Sequence, residues 1–279
     1  MKTQRKTWFI TGTSQGIGLV LVRQLLAEGY NVAATARDLE SLKTAVNTTA
    51  DNFLPLQMDL TNEQDITKAV DIAAEKFGTI DFLVNNAGYG LMGGIEEASA
   101  TEVQANFEVN VFGLLNVTRR VLPIMRQAKS GHIFNLSSVF GLIAGAGWGI
   151  YCATKFAVEG LSEALAQEIK SFGIHLTIIE PGYFRTNFLG SGSIVMPKAP
   201  ILDYEAIVEN KRKHTEEIPG NQPGNPEKAA EVIINLTKMQ EPPLRLLLGS
   251  DAYEYANYKI KTLKDGIELN KAITFSTDF

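Results

Sequence analysis

Short runs of β-branched and bulky apolar residues alternate with longer stretches of helical spacing, and this alternation limits the fold more than any other feature. The strand candidates fall at 7–10, 31–36, 53–58, 80–84, 132–136, 175–179 and 244–248. Each ends in a Gly, Asn, Asp or Ser cluster and gives way to a helical pattern. In the first such pattern Ile17, Leu21 and Leu25 recur every four residues, and Gly29 supplies the stop. Further helices are predicted at 62–77, 101–126, 151–172 and 226–240. Strands that are apolar on both faces must be covered on both faces. With right-handed crossovers, this predicts an α/β fold of the doubly wound, Rossmann type: a parallel sheet of about seven strands with helices on both faces.

The 279 residues contain no repeat, low-complexity tract or Gly/Ser linker, so the chain reads as one domain over 1–279. Its least regular part, 189–225, carries four glycines and four prolines and follows the sixth strand. That places it at the carboxyl edge of the sheet, where ligands bind, as a candidate substrate lid. A formal charge of −5 gives no basic field for nucleic acid or anionic lipid. The N-terminal stretch 1–6 is basic, but Trp8-Phe9-Ile10 is broken at once by Thr-Gly and reads as a strand, not an export signal. Cys152 has no partner in the chain, no apolar run reaches about 18 residues, and the expected location is the cytoplasm. His132, His175 and His214 lie too far apart for a metal site, and no Ser/His/Asp hydrolase arrangement is present.

Thr11-Gly12-Thr13-Ser14-Gln15-Gly16-Ile17-Gly18 runs directly from the first strand into the first helix. Glycines there allow a tight turn and let the backbone approach a pyrophosphate, whose charge the helix N-terminus stabilises. The spacing Gly-x3-Gly-x-Gly differs from the Gly-x-Gly-x2-Gly of the general dinucleotide fold, and a purely structural turn is the competing reading. The second strand ends Ala34-Thr35-Ala36-Arg37-Asp38. Ala36 stands where an NAD site would hold the ribose hydroxyl with an acid. Arg37 either pairs with a 2′-phosphate, which favours NADP over NAD, or is an exposed side chain without a ligand. Asp38 is either a ribose ligand or the N-cap of the next helix.

Tyr151 and Lys155 are four apart in a helical segment, so they share one face. Lowering a Tyr pKa from about 10 toward 7 needs roughly 4 kcal/mol, which one ammonium at about 4 Å supplies at an effective dielectric near 20. The pair then serves as a proton donor and acceptor near neutral pH; a core Tyr beside a solvated Lys is the alternative. Ser138 ends the fifth strand, where its hydroxyl can meet a substrate oxygen, while Ser137 points to the other side of the strand. Cys152 reads as a small buried residue. Trp148 falls beside this site either as a substrate wall or as plain packing.

Taken together, Thr11-Gly12-x3-Gly16-x-Gly18, Asn85-Asn86-Ala87-Gly88, Ser138, Tyr151-x3-Lys155 and Pro181-Gly182-x3-Thr186 resemble the short-chain dehydrogenase/reductase family over residues 6–190. Within it, the Ala-Thr-Ala-Arg-Asp turn and the 244–251 stretch are similar to NADP-type oxidoreductases near the 17β-hydroxysteroid dehydrogenases. The resemblance implies that Ser138, Tyr151, Lys155 and the helix residue Asn110 form the catalytic set, with Asn110 supporting a proton relay to the lysine. It implies cofactor contacts from Gly12, Thr13, Ser14, Gly16, Ile17, Gly18 and Arg37, and from Asp59 at the adenine amine. Asn86, Ala87 and Gly88 would line the adenosine ribose, and Tyr151 and Lys155 the nicotinamide ribose. Pro181, Gly182, Phe184 and Thr186 would hold the carboxamide; Phe184 replaces a usual small branched residue. A surface amide competes for Asn110, and a helix-capping loop acid for Asp59.

The leading expectation is an NADP(H)-preferring enzyme, with NAD possible, moving hydride between nicotinamide and a carbonyl or secondary alcohol. Apolar Leu189, Ile194, Val195, Met196, Ile201 and Leu202 suggest a lipophilic substrate. The expected partners are that small molecule and further copies of the chain, as a homodimer or homotetramer joined through 101–126 and 151–172. Nucleic acid and membrane are not expected partners. A redox-sensing NADP-binding regulator without turnover, and an isomerase or dehydratase on the same scaffold, are the alternatives.

Overall fold

The computed structural model describes residues 5–190 and 192–279; positions 1–4 of the basic N-terminal stretch and position 191 of the candidate lid lie outside the described residues. Seven parallel strands form the main sheet: β1 (Thr7–Thr11), β2 (Asn31–Ala36), β3 (Phe53–Gln57), β4 (Phe82–Asn85), β6 (Gly131–Leu136), β7 (Ile174–Pro181) and β9 (Arg245–Leu248). Their order is β3-β2-β1-β4-β6-β7-β9, and the two-residue β5 (Gly90–Leu91) pairs separately with β8 (Ile194–Val195). Winding reverses between β1 and β4, which opens a crevice at their carboxyl ends.

Among the described residues ten α-helices accompany them: α1 (Gly16–Ala27), α2 (Leu39–Val46), α3 (Glu63–Phe77), α4 (Ala100–Phe107), α5 (Leu114–Ala128), α6 (Gly149–Ile169), α7 (Glu205–Arg212), α8 (Pro226–Leu236), α9 (Ser250–Leu269) and α10 (Lys271–Phe275). Alternation along β1 decides what covers each face. Trp8 and Ile10 pack with Leu21, Val22 and Leu25 of α1 and Ile233 and Ile234 of α8. Phe9 points the other way, toward Ile66 and Val70 of α3 and Val117 and Val121 of α5.

The expected doubly wound fold is present, with local differences. The predicted 101–126 helix is α4 and α5 joined by a π-helical segment, Glu108–Gly113, and α4 starts on a Ser99–Glu102 capping box. The 226–240 helix ends at Leu236. Helices α7, α9 and α10 were not expected: α7 lies within the candidate lid, and in α9 only Ala252 and Ala256 are buried, while Tyr253, Tyr258, Ile260 and Ile267 are exposed, so no single buried stripe marks it. No helix among the described residues is long and apolar enough to cross a membrane.

Candidate active site

The cleft at the carboxyl edge, about 310 Å³, is floored by the glycine-rich turn. Gly12 and Gly16 adopt φ of +68° and +63°, which favours glycine. A Cβ on Gly12 would fall 2.7 Å from Ala87 Cα, and one on Gly18 would fall 2.5 Å from Asn86 Nδ2. The turn therefore packs directly on the exit of β4. Asn86 Nδ2 donates to the Thr11 and Gly12 carbonyls, and the Asn86 and Ala87 amides both donate to Thr11 Oγ1. Helix α1 starts without a side-chain cap and without an acid in its first turn, unlike α2, α3, α4 and α8. Its free N–H groups and dipole face the cleft, an arrangement that fits a dinucleotide's pyrophosphate.

At the outer end, exposed Arg37 and half-buried Asp59 line the cleft. Asp38 does not; it caps α2 by accepting from the Glu40 and Ser41 amides. Asp59 lines the wall while one of its oxygens also accepts from the Thr61 amide and hydroxyl.

At the inner end, β6 delivers Ser138 and α6 delivers Tyr151 and Lys155. The Ser138 side chain hydrogen-bonds Tyr151, and its oxygen also accepts from the Phe140 amide at 3.1 Å. Burial raises the Tyr151 pKa against the lowering effect of that Ser138 bond. Lys155 Nζ donates to the Leu136 carbonyl at 2.7 Å and lies 5.7 Å from the Tyr151 ring centroid. Burial pulls the Lys155 pKa down to about 8, opposed by the Glu159 charge. The expected ammonium-driven lowering of Tyr151 is thus not what this arrangement shows. Desolvation wins because the ammonium is turned toward Leu136, and Tyr151 is held as a phenol.

Most of the other predicted cofactor and catalytic positions line the same cleft: Gly12, Ser14, Gly16, Ile17, Asn86, Ala87, Gly88, Pro181, Gly182, Phe184 and Thr186 join Arg37, Asp59 and Ser138 there. Thr13 is buried, with its hydroxyl on the Thr35 carbonyl, and Gly18 is the packing glycine already described; neither is on the lining. Asn110 sits in the π-helical segment, buried, and grips the Tyr89 backbone through both ends of its amide while also donating to Thr154 Oγ1. It is not a surface amide, nor does it line the cleft. Phe184 packs on Gly224 and bridges to it, anchoring the loop that follows β7.

The apolar wall differs from expectation. Of the six lid residues named for it, only Leu189 lines the cleft, Ile194 packs behind Trp148 and Tyr151, and Val195 and Leu202 are exposed. The wall is aromatic instead: Phe140, Trp148, Tyr183 and Phe188, with Trp148 5.6 Å from Tyr151 and Phe188 6.1 Å. Tyr89, Gln15 and Ser193 also contribute without having been expected, and Gln15 Nε2 meets Ser193 Oγ at 2.7 Å. Gln15 lies within the glycine-rich turn and Ser193 within the candidate lid, while Tyr89 directly follows Asn85-Asn86-Ala87-Gly88.

A short chain dehydrogenase family profile matches residues 6–193. This chain belongs to the short-chain dehydrogenase/reductase family. It is 40% identical over 259 residues to oxidoreductase BOA17 of Botryotinia fuckeliana, covering 92% of this chain and 94% of that one. It is 33% identical to human 17-beta-hydroxysteroid dehydrogenase type 1 over 254 residues, 86% of this chain and 76% of that one. A short-chain dehydrogenase from Streptomyces avermitilis superposes with a TM-score of 0.90 at 35% identity, over 99% of both chains. A 3-ketoacyl-(acyl-carrier-protein) reductase from Brucella melitensis complexed with NADH matches at TM-score 0.74 and 25% identity, over 87% and 96% of the two chains. A serine dehydrogenase complexed with NADP+ matches at 0.74 and 27%, over 87% of this chain and 94% of that one. The chain is an NAD(P)-dependent oxidoreductase of this family.

Proposed function

We propose that the protein prefers NADP(H) and reduces the carbonyl group of a lipophilic small molecule, or oxidises the matching secondary alcohol, with Tyr151 as the general acid/base. The observation that carries this reading is the convergence of Ser138, Tyr151 and Lys155 at the inner end of a cleft floored by the uncapped α1 terminus. The bound cofactor supplies or accepts the hydride. Ser138 holds the substrate oxygen, and Tyr151 Oη delivers a proton to it as the carbonyl carbon is reduced. A phenol kept protonated by burial suits the acid role. Lys155 steadies the charge that develops on Tyr151 and binds the nicotinamide ribose. Asn110 acts through Tyr89 and Thr154, holding the cleft wall and the helix that carries Tyr151. Arg37, exposed at the end of β2, would pair with the 2′-phosphate. The aromatic wall supports the lipophilic class of substrate.

For assembly, we infer a homodimer or homotetramer through α5 and α6, supported by the exposed Phe112, Phe156 and Leu161 on or beside them. The test of the reaction is Tyr151→Phe on a carbonyl panel with NADPH. Turnover is expected to fall by about 10²- to 10⁴-fold with binding retained. Wild-type turnover in the variant would overturn these roles for Ser138, Tyr151 and Lys155. Tight NADPH binding with no turnover by the wild type on any panel member would favour a sensor.

A further inference from the structure

Beneath the proposed site lies a buried charge cluster that the reaction as described does not use. On α6, Tyr151, Lys155, Glu159 and Glu163 follow at four-residue spacing along one face. Lys155 and Glu159 are each 5% exposed, and Glu180 of β7 is 1% exposed. Arg245 of β9 bonds Glu159 and Glu180 through Nη1, the latter at 2.7 Å, and Glu163 through Nη2 at 2.5 Å. Thus one guanidinium serves two buried carboxylates and a half-exposed one. Lys155 is a buried cation whose ammonium meets only a carbonyl oxygen among its described hydrogen-bond partners. The turn Val139–Gly141 closes over the cluster: a Cβ on Gly141 would fall 2.5 Å from Ser137 Oγ and 2.7 Å from Glu159 Oε1. Any side chain there would displace the carboxylate.

We propose that Glu159 is a positioning residue for the reaction: anchored by Arg245 one helical turn beyond Lys155 on the same buried face of α6, its carboxylate is the countercharge to the Lys155 ammonium. This rests on the reading of Lys155 as the partner of Tyr151. The physical case is that Arg245 is shared among three carboxylates, so Glu159 is not fully matched even where Glu180 is protonated, and a lone buried ammonium is costly. Placing them a turn apart offsets both. The groups facing the cluster are Lys155, Glu159 and Glu163 from α6, Glu180 from β7 and Arg245 from β9; burial and the Glu159 charge hold the Glu180 pKa up to about 7. Burial draws Lys155 down and the Glu159 charge opposes it.

Glu159→Gln keeps the shape and removes the charge. In cofactor-free protein labelled with ¹³C-lysine, the Lys155 signal, identified by its loss in Lys155→Met, is expected to titrate about one unit lower in Glu159→Gln than in wild type. The alkaline limb of kcat/KM for NADPH-driven reduction is expected to move down equally, a drop of about tenfold at alkaline pH with less than twofold change at pH 6.5. Glu163→Gln, which removes only the half-exposed ligand of Arg245, should leave both profiles in place. If Glu159→Gln does not fold, Glu159→Asp, whose charge lies one methylene away, should shift the signal less but in the same direction. An unmoved Lys155 titration in the folded variant, or the same shift in Glu163→Gln, overturns the role of Glu159. A moved titration with an unmoved rate profile overturns instead the catalytic reading of Lys155.

Discussion

The side-chain amide of Asn86 donates to the carbonyl oxygen of Gly12 at 2.7 Å, clamping the glycine-rich turn to the end of the neighbouring strand. The same amide reaches the Thr11 carbonyl at 2.9 Å. Without it the turn keeps its glycines but loses the contacts that hold it against the sheet. Asn86→Ala is expected to lower unfolding stability by about 1–2 kcal/mol in urea titrations. It should weaken NADPH binding at least tenfold in a fluorescence titration of folded protein. Affinity equal to wild type would show that the α1 terminus is preorganised by the glycines alone. Gly18→Ala should be worse, because its methyl would collide with that same amide.

Arg37 stands exposed at the outer end of the cleft, while Asp38 is committed to capping α2. The cation is therefore free to meet a 2′-phosphate, and no acid competes for a ribose hydroxyl from position 38. Arg37→Ala should weaken NADPH binding by a factor of ten or more, in keeping with about 1.5–3 kcal/mol for a charge-assisted bond, and alter NADH binding by less than twofold. Equal losses for both nucleotides would move the phosphate site elsewhere.

His132 is a group whose titration tests the core, not the site. It is buried in β6, stacked 3.9 Å from the Phe134 ring, with Nε2 2.9 Å from Thr177 Oγ1. That hydroxyl already donates to the Pro243 carbonyl, so the ring nitrogen is the donor of the pair. Burial, aided by the nearby His175, pushes the His132 pKa down to about 3. A depressed folded-state pKa stabilises the protein fully above the unfolded value near 6.5 and progressively less as pH falls toward 3. Between pH 7 and pH 5 this contribution should shrink by about 2 kcal/mol in urea unfolding. His132→Gln should show a shallower pH dependence over that window; an unchanged slope would mean that other groups carry the acid sensitivity.

The sheet was legible because its strands are buried on both faces, leaving short apolar runs such as Trp8-Phe9-Ile10 that end at once in turn residues. The helices with one buried stripe, α1 and α3 among them, were legible for the same reason. Helix α9 was not, because its large apolar residues point outward and its buried face is two alanines. The glycine-rich turn and the Ser138, Tyr151 and Lys155 set were singled out because their fixed spacings together resemble the motifs of one family. The full aromatic wall could not: Trp148 was named beside the site, but Phe140 and Trp148 come from the β6–α6 connection and Tyr183 and Phe188 from the stretch after β7, and the two pairs meet only once the sheet is wound. Nor could Glu159 and Arg245, whose pairing spans 86 residues and depends on β9 lying beside β7.

Polar contacts hold the candidate lid to the cleft wall, Gln15 to Ser193 at one point and Tyr183 to His214 at another. Tyr183 Oη lies 2.8 Å from His214 Nε2, and His214 Nδ1 lies 2.8 Å from the Asn210 carbonyl. A carbonyl can only accept, so Nδ1 carries the proton and Nε2 accepts from the Tyr183 hydroxyl. The His214 ring packs 5.1 Å from Trp148, itself edge-on to Tyr151, so the contact sets where the wall stands against a substrate. Tyr183→Phe removes the bond, about 1 kcal/mol, while keeping the ring. The expected result is a KM for bulky carbonyl substrates raised about fivefold with kcat within twofold, because the Ser138–Tyr151 contact is untouched. A fall in kcat at constant KM would instead mean that Tyr183 acts on the reacting oxygen itself.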